Sequence, residues 1–134
     1  EMELRSTCVV LFDINNMKEI NDHYGHECGD QALKVCCRCI LAAFGSEGNC
    51  YRIGGDEFMV LMKGTSDQAL IENRCAQLIR AFRNLFPEQL KDRPLGCSIG
   101  IAISPEHGDT YTELFKHADQ ALYHAKNNGK KIDI

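Results

Sequence analysis

Three carboxylates are placed where they could do chemistry. Asp56 and Glu57 follow two glycines in Tyr51-Arg52-Ile53-Gly54-Gly55-Asp56-Glu57-Phe58-Met59-Val60-Leu61-Met62, and Asp13 sits near the end of the apolar run Cys8-Val9-Val10-Leu11-Phe12-Asp13-Ile14. A Gly-Gly pair between two alternating apolar runs signals a hairpin, because glycine takes positive φ cheaply. The turn itself needs no adjacent acids, and taken alone Gly54-Gly55-Asp56-Glu57 reads as a solvated turn. A third acid at a strand end alters that balance. Carboxylates gathered in one place repel one another unless a cation neutralises them, and magnesium is typically held by one or two carboxylates together with substrate phosphates. Two such ions about 3.5–4 Å apart can stabilise both the attacking and the leaving oxygen of an in-line displacement, which points to phosphoryl or nucleotidyl transfer.

Other polar residues fit a phosphorylated ligand. Asn15 and Asn16 are N-cap types for a short helix to about His23, whose first turn offers unpaired amides beside Lys18 for phosphate oxygens. Asn21, Asp30 and Lys126 have simple structural readings on their own: a helix-surface amide, an N-cap, and a cation favoured at a helix C-terminus.

These side chains need a frame. Residues 8–14 read as a central strand buried on both faces, and open α/β sheets bind ligands beyond their strand ends, where Asp13 falls. The short helix turns Met17, Ile20 and Tyr24 inward and stops at Gly25. A longer helix capped by Asp30 runs to about Phe44, burying Leu33, Cys36, Cys37, Ile40, Leu41 and Phe44, and Gly45 stops it. After the hairpin, Lys63 to Asp67 caps a helix over 67–86 with Leu70, Ile71, Cys75, Leu78, Ile79, Phe82 and Leu85 inward. Pro87 to Pro94 is a polar connection. Residues 95–103 alternate large and small side chains, as in a strand with a helix lying close on one face. Tyr111 to about Asn127 is an amphipathic helix ended by Gly129, and residues 130–134 form a short edge strand. The order gives an α/β fold, a single domain with a central mixed five-stranded sheet and about four flanking helices.

Composition agrees with one domain: 134 residues, 44% hydrophobic and 25% charged. A net charge of −4 argues against a general nucleic-acid surface, while leaving room for a small anion held by a few lysines. No apolar run approaches the roughly 20 residues of a bilayer span, and the N-terminus lacks a signal-peptide pattern. The eight cysteines include Cys36-Cys37-Arg38-Cys39, but that C-x-x-C lies in a helical pattern without a second pair, so the thiols read as reduced packing residues in a cytoplasmic domain without membrane contact.

Arg52-Ile53-Gly54-Gly55-Asp56-Glu57-Phe58 resembles the signature of the GGDEF family of diguanylate cyclases, and three further segments agree in order. Asp13 to Asp22 resembles D-x-D-x-F-K-x-x-N-D, Gly25 to Asp30 resembles G-H-x-x-G-D, and Ala118 to Lys126 resembles A-D-x-A-L/M-Y-x-A-K. The resemblance implies a nucleotidyl-cyclase, ferredoxin-like arrangement. It implies condensation of two GTP into cyclic di-GMP with loss of two pyrophosphates, in a transient homodimer whose domains each present one GTP. By position, Asp13, the Ile14 carbonyl, Asp56 and Glu57 resemble ligands of Mg²⁺, with Mn²⁺ a possible substitute, and Asp56 and Glu57 the catalytic acids. Glu57 is either a further ligand or the group that helps to deprotonate the 3′-hydroxyl. Asn21 and Asp30 resemble the guanine readers. Lys18, Lys126 and Lys130 resemble phosphate contacts, and Gly54 and Gly55 let backbone approach the nucleotide.

Departures from the pattern are as informative. Asn15 replaces the second Asp, Met17 replaces Phe, and Lys130 stands where Arg is frequent, losing a bidentate phosphate grip. The inhibitory R-x-x-D would fall on Gly45 and Gly48, so feedback through that site is not expected. The family's D-x-L-T-x-L-x-N-R segment is missing ahead of the first strand, which implies a piece of a longer sensor protein with an upstream sensory domain, compatible with a membrane anchor elsewhere. The alternative reading is a catalytically silent GTP-binding or protein-interaction module.

Overall fold

A computed structural model of the chain describes residues 6–45, 48–64, 67–83 and 96–134. The elements are β1 (Thr7–Asn15), α1 (Met17–Tyr24), α2 (His26–Phe44), β2 (Gly48–Arg52), β3 (Glu57–Lys63), α3 (Gln68–Arg83), β4 (Gly96–Ile103), α4 (Tyr111–Asn127) and β5 (Ile132–Asp133). They form one sheet in the order β2-β3-β1-β4-β5, antiparallel except for the β4–β5 pair. This is the mixed five-stranded sheet with four helices that the sequence led us to expect.

β1 is central and lacks polar alternation because helices cover both its faces. On one face Cys8, Val10, Phe12 and Ile14 pack with residues from α1, α2 and α3, including Ile20, Cys36, Ile40, Phe44, Cys75 and Phe82. Phe12 and Phe44 meet edge-on with centroids 5.8 Å apart, and burying each ring is worth about 2–3 kcal/mol. On the other face Val9, Leu11, Met59 and Ala102 pack with Leu114, Ala118 and Leu122 of α4. Gly100 lets α4 sit this close: a Cβ there would lie 2.2 Å from the Ala118 carbonyl oxygen and 2.4 Å from the Leu122 nitrogen. The small residues of β4 therefore do face a crowding helix.

Local chemistry sets the element ends. Asp67 caps α3 by accepting from the Leu70 amide at 3.3 Å. At α4, Thr110 accepts from the Glu113 amide, while Glu113 accepts from the Asp109 amide, a reciprocal cap. Gly25 and Gly129 follow helix ends with φ of 89° and 71°, the left-handed region that favours glycine.

The structure corrects several expectations. α2 begins at His26, so Asp30 lies within the helix instead of capping it. Tyr24, Leu41 and Leu70, expected inward, are exposed: α1 and α2 pack through the narrower stripes of Ile20 and of Ala32, Cys36, Ile40 and Phe44, and α3 buries Ile71, Cys75, Leu78, Ile79 and Phe82 instead. Gly54 and Gly55 are not at positive φ, so the hairpin turn does not require glycine on that ground. β2 begins at Gly48, and at the last strand only Ile132–Asp133 pairs. Leu85, Leu95 and the connection over 87–94 lie outside the described residues. Among the described residues, no helix is long and apolar enough to cross a membrane.

Candidate functional site

Strand register brings the predicted acids together. Asp13 is the Cα partner of Glu57 on β3 and of Ser98 on β4. The pleat that turns Val9 and Leu11 toward α4 turns Asp13 the same way, and Glu57 shares that face with Met59. The Ile14 amide donates to the Asp56 carbonyl at 2.9 Å, stitching the end of β1 to the hairpin turn. The Ile14 side chain is buried in the opposite core, so only its backbone is available to a ligand.

From α4, Lys126 donates through Nζ to Asp13 Oδ2. Asp13 is only 8% exposed, and this ammonium neutralises it. The hydrogen bond and charge of Asp13, with Asp56 and Glu57 nearby, hold the Lys126 ammonium above its usual range despite partial desolvation. Burial first, then the charges of Asp13 and Asp56, push the Glu57 carboxyl above its usual range. Asp119 and Tyr123 of α4 join Asp13, Glu57 and Lys126 around a small hollow of about 160 Å³.

The hairpin tip is braced by a residue that the sequence reading did not single out. Arg52 donates through Nε to the Gly54 carbonyl at 3.2 Å and through Nη2 to the Gly55 carbonyl at 2.7 Å. The amides of Ile53 and Gly54 both reach the Glu57 carbonyl, at 3.0 and 3.4 Å. An arginine two residues ahead of the glycine pair was the available signal. Gly54 lies against the Glu57 side chain, whereas a Cβ on Gly55 would meet nothing within 4 Å.

Beyond the tip is a cleft of about 460 Å³ between α1, α2 and the hairpin, lined by Lys18, Asn21, Asp30, Arg52, Gly55 and Asp56 among others. Asn21 Oδ1 is buried there without a hydrogen-bond partner. It lies against Gly29 of α2, where a Cβ would come within 1.7 Å of it. An orphaned amide oxygen of this kind normally costs about 1–3 kcal/mol and is expected to find a partner. A separate hollow of about 410 Å³ holds Lys126, Lys130 and Lys131 with Asn15, Asn16 and Glu19 at the start of α1. Asn16 occupies the N-cap in the left-handed region and makes no side-chain bond to the helix's first amides. Lys18 and Lys126, both expected at phosphates, therefore line different hollows. Asp119 and Lys131 are further charged neighbours that the sequence reading left unassigned.

Among the described residues, no group of three or more His, Cys, Asp and Glu side chains closes around a point as a metal cage would. The donors present are carboxylate oxygens, the type that could hold magnesium only in company with other ligands such as phosphates. Asp13 and Glu57 oppose each other, an ammonium already occupies the cationic position on Asp13, and phosphates would complete the shell.

The family model described as "Diguanylate cyclase, GGDEF domain" matches residues 2–132. The chain is 42% identical over 122 residues to the cyclic di-GMP phosphodiesterase PdeR of Escherichia coli K12, covering 91% of this chain and 18% of that protein. It is 33% identical over 125 residues to the diguanylate cyclase DgcS of Shewanella oneidensis, covering 93% of this chain and 40% of that protein. The chain thus spans well under half the length of either relative. A solved sensory box/GGDEF family protein from Caulobacter crescentus shares the fold with a TM-score of 0.80 at 34% identity, over 95% of this chain and 81% of that one. With its nucleotidyl-cyclase-like sheet and a match that runs from before β1 into β5, this chain belongs to the GGDEF domain family.

Proposed function

We propose that the domain is a diguanylate cyclase, and the observation that carries this is the pairing of Asp13 with Glu57 at adjoining strand ends, beside both an amide-lined cleft and a lysine-lined hollow. The base of GTP lies in the cleft, where the Asp30 carboxylate accepts from guanine N1–H and the N2 amine and the Asn21 amide meets the base edge. Lys18, Lys126 and Lys130 receive the phosphates, and Gly54 and Gly55 leave the hairpin backbone open to the nucleotide. Lys126 exchanges its partner Asp13 for phosphate oxygens as substrate arrives.

Asp13, the Ile14 carbonyl, Asp56 and Glu57 would hold Mg²⁺, or Mn²⁺ in its place. Bound there, the ions supply Lewis-acid stabilisation of the charge on the attacking and leaving oxygens. The 3′-hydroxyl of one GTP attacks the α-phosphate of another, forming the new ester bond and expelling pyrophosphate, and the second linkage repeats this. Glu57, whose carboxyl is pushed up by burial and neighbouring acids, is suited to take the hydroxyl proton. Each domain of a transient homodimer presents one GTP. An upstream sensory domain in a longer cytoplasmic or membrane-anchored protein would set how often two domains meet.

The test is incubation with GTP and magnesium over a range of protein concentrations. Cyclic di-GMP formation should rise more steeply than linearly, and Asp13→Asn or Asp56→Asn should reduce it by about 10²-fold or more. Unchanged turnover in either variant would overturn the assignment. A second reading, a silent GTP-binding module, is favoured by Asn15 in place of the pattern's second acid and by the 42% identical relative being named a phosphodiesterase. GTP binding without product at high protein concentration would select it.

A further inference from the structure

Cys37 and Cys50 take no part in the chemistry above. Cys37 lies on α2 two turns beyond Asp30, and Cys50 lies on β2 two residues before Arg52. Both are half-buried free thiols that face one cavity between helix and strand, each near enough to perturb the other. They line an open cavity of about 470 Å³ with Leu41 and Phe58, so a small reagent can reach them. This cavity shares Asp30, Leu33 and Arg52 with the cleft assigned to the nucleotide base. Cys8, Cys36, Cys75 and Cys97, by contrast, are enclosed in the core with no exposure.

We propose that Cys37 and Cys50 form a modification site, a dithiol that small disulfides such as oxidised glutathione convert into a disulfide bridging α2 to the edge strand β2. The Cys37 thiolate attacks one sulfur of the reagent, whose S–S bond breaks and releases the first glutathione thiolate. The Cys50 thiolate then attacks the Cys37 sulfur of the mixed disulfide and expels the second glutathione. The two protein thiols lose two electrons and two protons, and the reagent takes them up as two thiols. Burial and the neighbouring Cys37 push the Cys50 thiol up to about 11. Its thiolate is therefore scarce at neutral pH, and its closeness to Cys37 supplies the rate. Ring closure therefore quickens as pH rises. The bridge joins the helix that carries Asp30 to the strand that carries Arg52, two walls of one cleft.

The experiment treats the whole chain with oxidised glutathione at mildly alkaline pH, then maps peptides by mass spectrometry without reduction. The expected product is a peptide joining Cys37 to Cys50 with glutathione on neither, and closure that speeds up with pH. Cys50→Ser should stop at a single glutathione adduct on Cys37, and reducing agent should reverse the bridge in the wild type. Absence of the bridged peptide, a bridge between other cysteines, glutathione on both residues at once, or closure indifferent to pH would each overturn the proposal. Should the serine variant fail to fold, the wild-type peptide map decides by itself. No nucleotide enters the assay, so its outcome is independent of the proposed cyclase activity.

Discussion

Lys126 of α4 and Asp13 at the end of β1, 113 residues apart in sequence, form an ion pair that joins the helix on one face of the sheet to the strand at its centre. Asp13 is buried and the Lys126 side chain is 47% exposed, so the pair is partly screened. Lys126→Met should therefore cost about 1 kcal/mol of stability at neutral pH. The folded state holds the lysine above its usual range, so its contribution is fully present below the unfolded value and is lost as pH rises through the folded one. Urea unfolding of both proteins at pH 8 and at about pH 12 should show the difference shrinking at the higher value.

Glu57 follows the same pH direction, but removing its charge has the opposite effect on stability at neutral pH. Its folded carboxyl is raised by burial and by Asp13 and Asp56, so folding favours the protonated form, and that stability is lost as pH rises through the raised value. Glu57→Gln should unfold at a higher temperature than the wild type at pH 7, and the gain should vanish near about pH 3, where both states carry the neutral acid. Cyclase activity should fall in the same variant. Thermal scans across pH beside product assays would show a protein that is more stable and less active.

The strand of residues 8–14, the hairpin and the fourth helix were legible because each carries its own pattern: an apolar run, a glycine pair between alternating segments, and a 3.6-residue stripe. The meeting of Asp13 with Glu57 was legible only as a possibility of topology, since register is a property of the paired strands and is written in neither one alone. Asp30 misled because a carboxylate after a glycine is a good N-cap type, whereas packing against α1 carries α2 back to His26. Arg52 escaped notice because its partners are backbone carbonyls, which a sequence does not display. The separation of Lys18 on α1 from Lys126 on α4 into two hollows likewise depends on how the two helices are placed about the end of β1.

Gly29 controls where the Asn21 amide rests. A Cβ at 29 would come within 1.7 Å of Asn21 Oδ1, and a movable side-chain end can yield where backbone would not. Gly29→Ala should therefore leave the melting temperature nearly unchanged, because alanine favours the helix by up to about 1 kcal/mol while the amide is displaced. Nucleotide affinity should fall about tenfold, the worth of one hydrogen bond. Titration with a fluorescent GTP analogue measures it, and unaltered affinity would remove Asn21 from the base site.

Gly100 is the contrasting case, for its neighbours are backbone. A methyl group there would press on the Ala118 carbonyl and the Leu122 amide and Cα, none of which can rotate away. Gly100→Ala should cost about 1–3 kcal/mol as α4 is pushed off the sheet, read as a lower urea midpoint. Lys126 moves with α4, so the Asp13 pairing should loosen as well.

Feedback by product supplies the last prediction. The arginine and aspartate of the family's inhibitory R-x-x-D would fall on Gly45 at the end of α2 and Gly48 at the start of β2. A Cβ on Gly48 would lie 2.8 Å from Val60 Cγ1 and 3.1 Å from Met62 Cγ, so the hairpin here is packed around the missing side chain. Glycine at the two positions supplies neither the motif's cation for a phosphate nor its carboxylate. Initial rates of the isolated domain should accordingly be unchanged by low-micromolar cyclic di-GMP added at saturating GTP. Inhibition that survives saturation would mean the product binds through residues other than these two positions. Introducing Gly48→Asp alone should lower stability through its contacts with Val60 and Met62 while leaving the response to product as it was, because the cationic half of the site would still be absent.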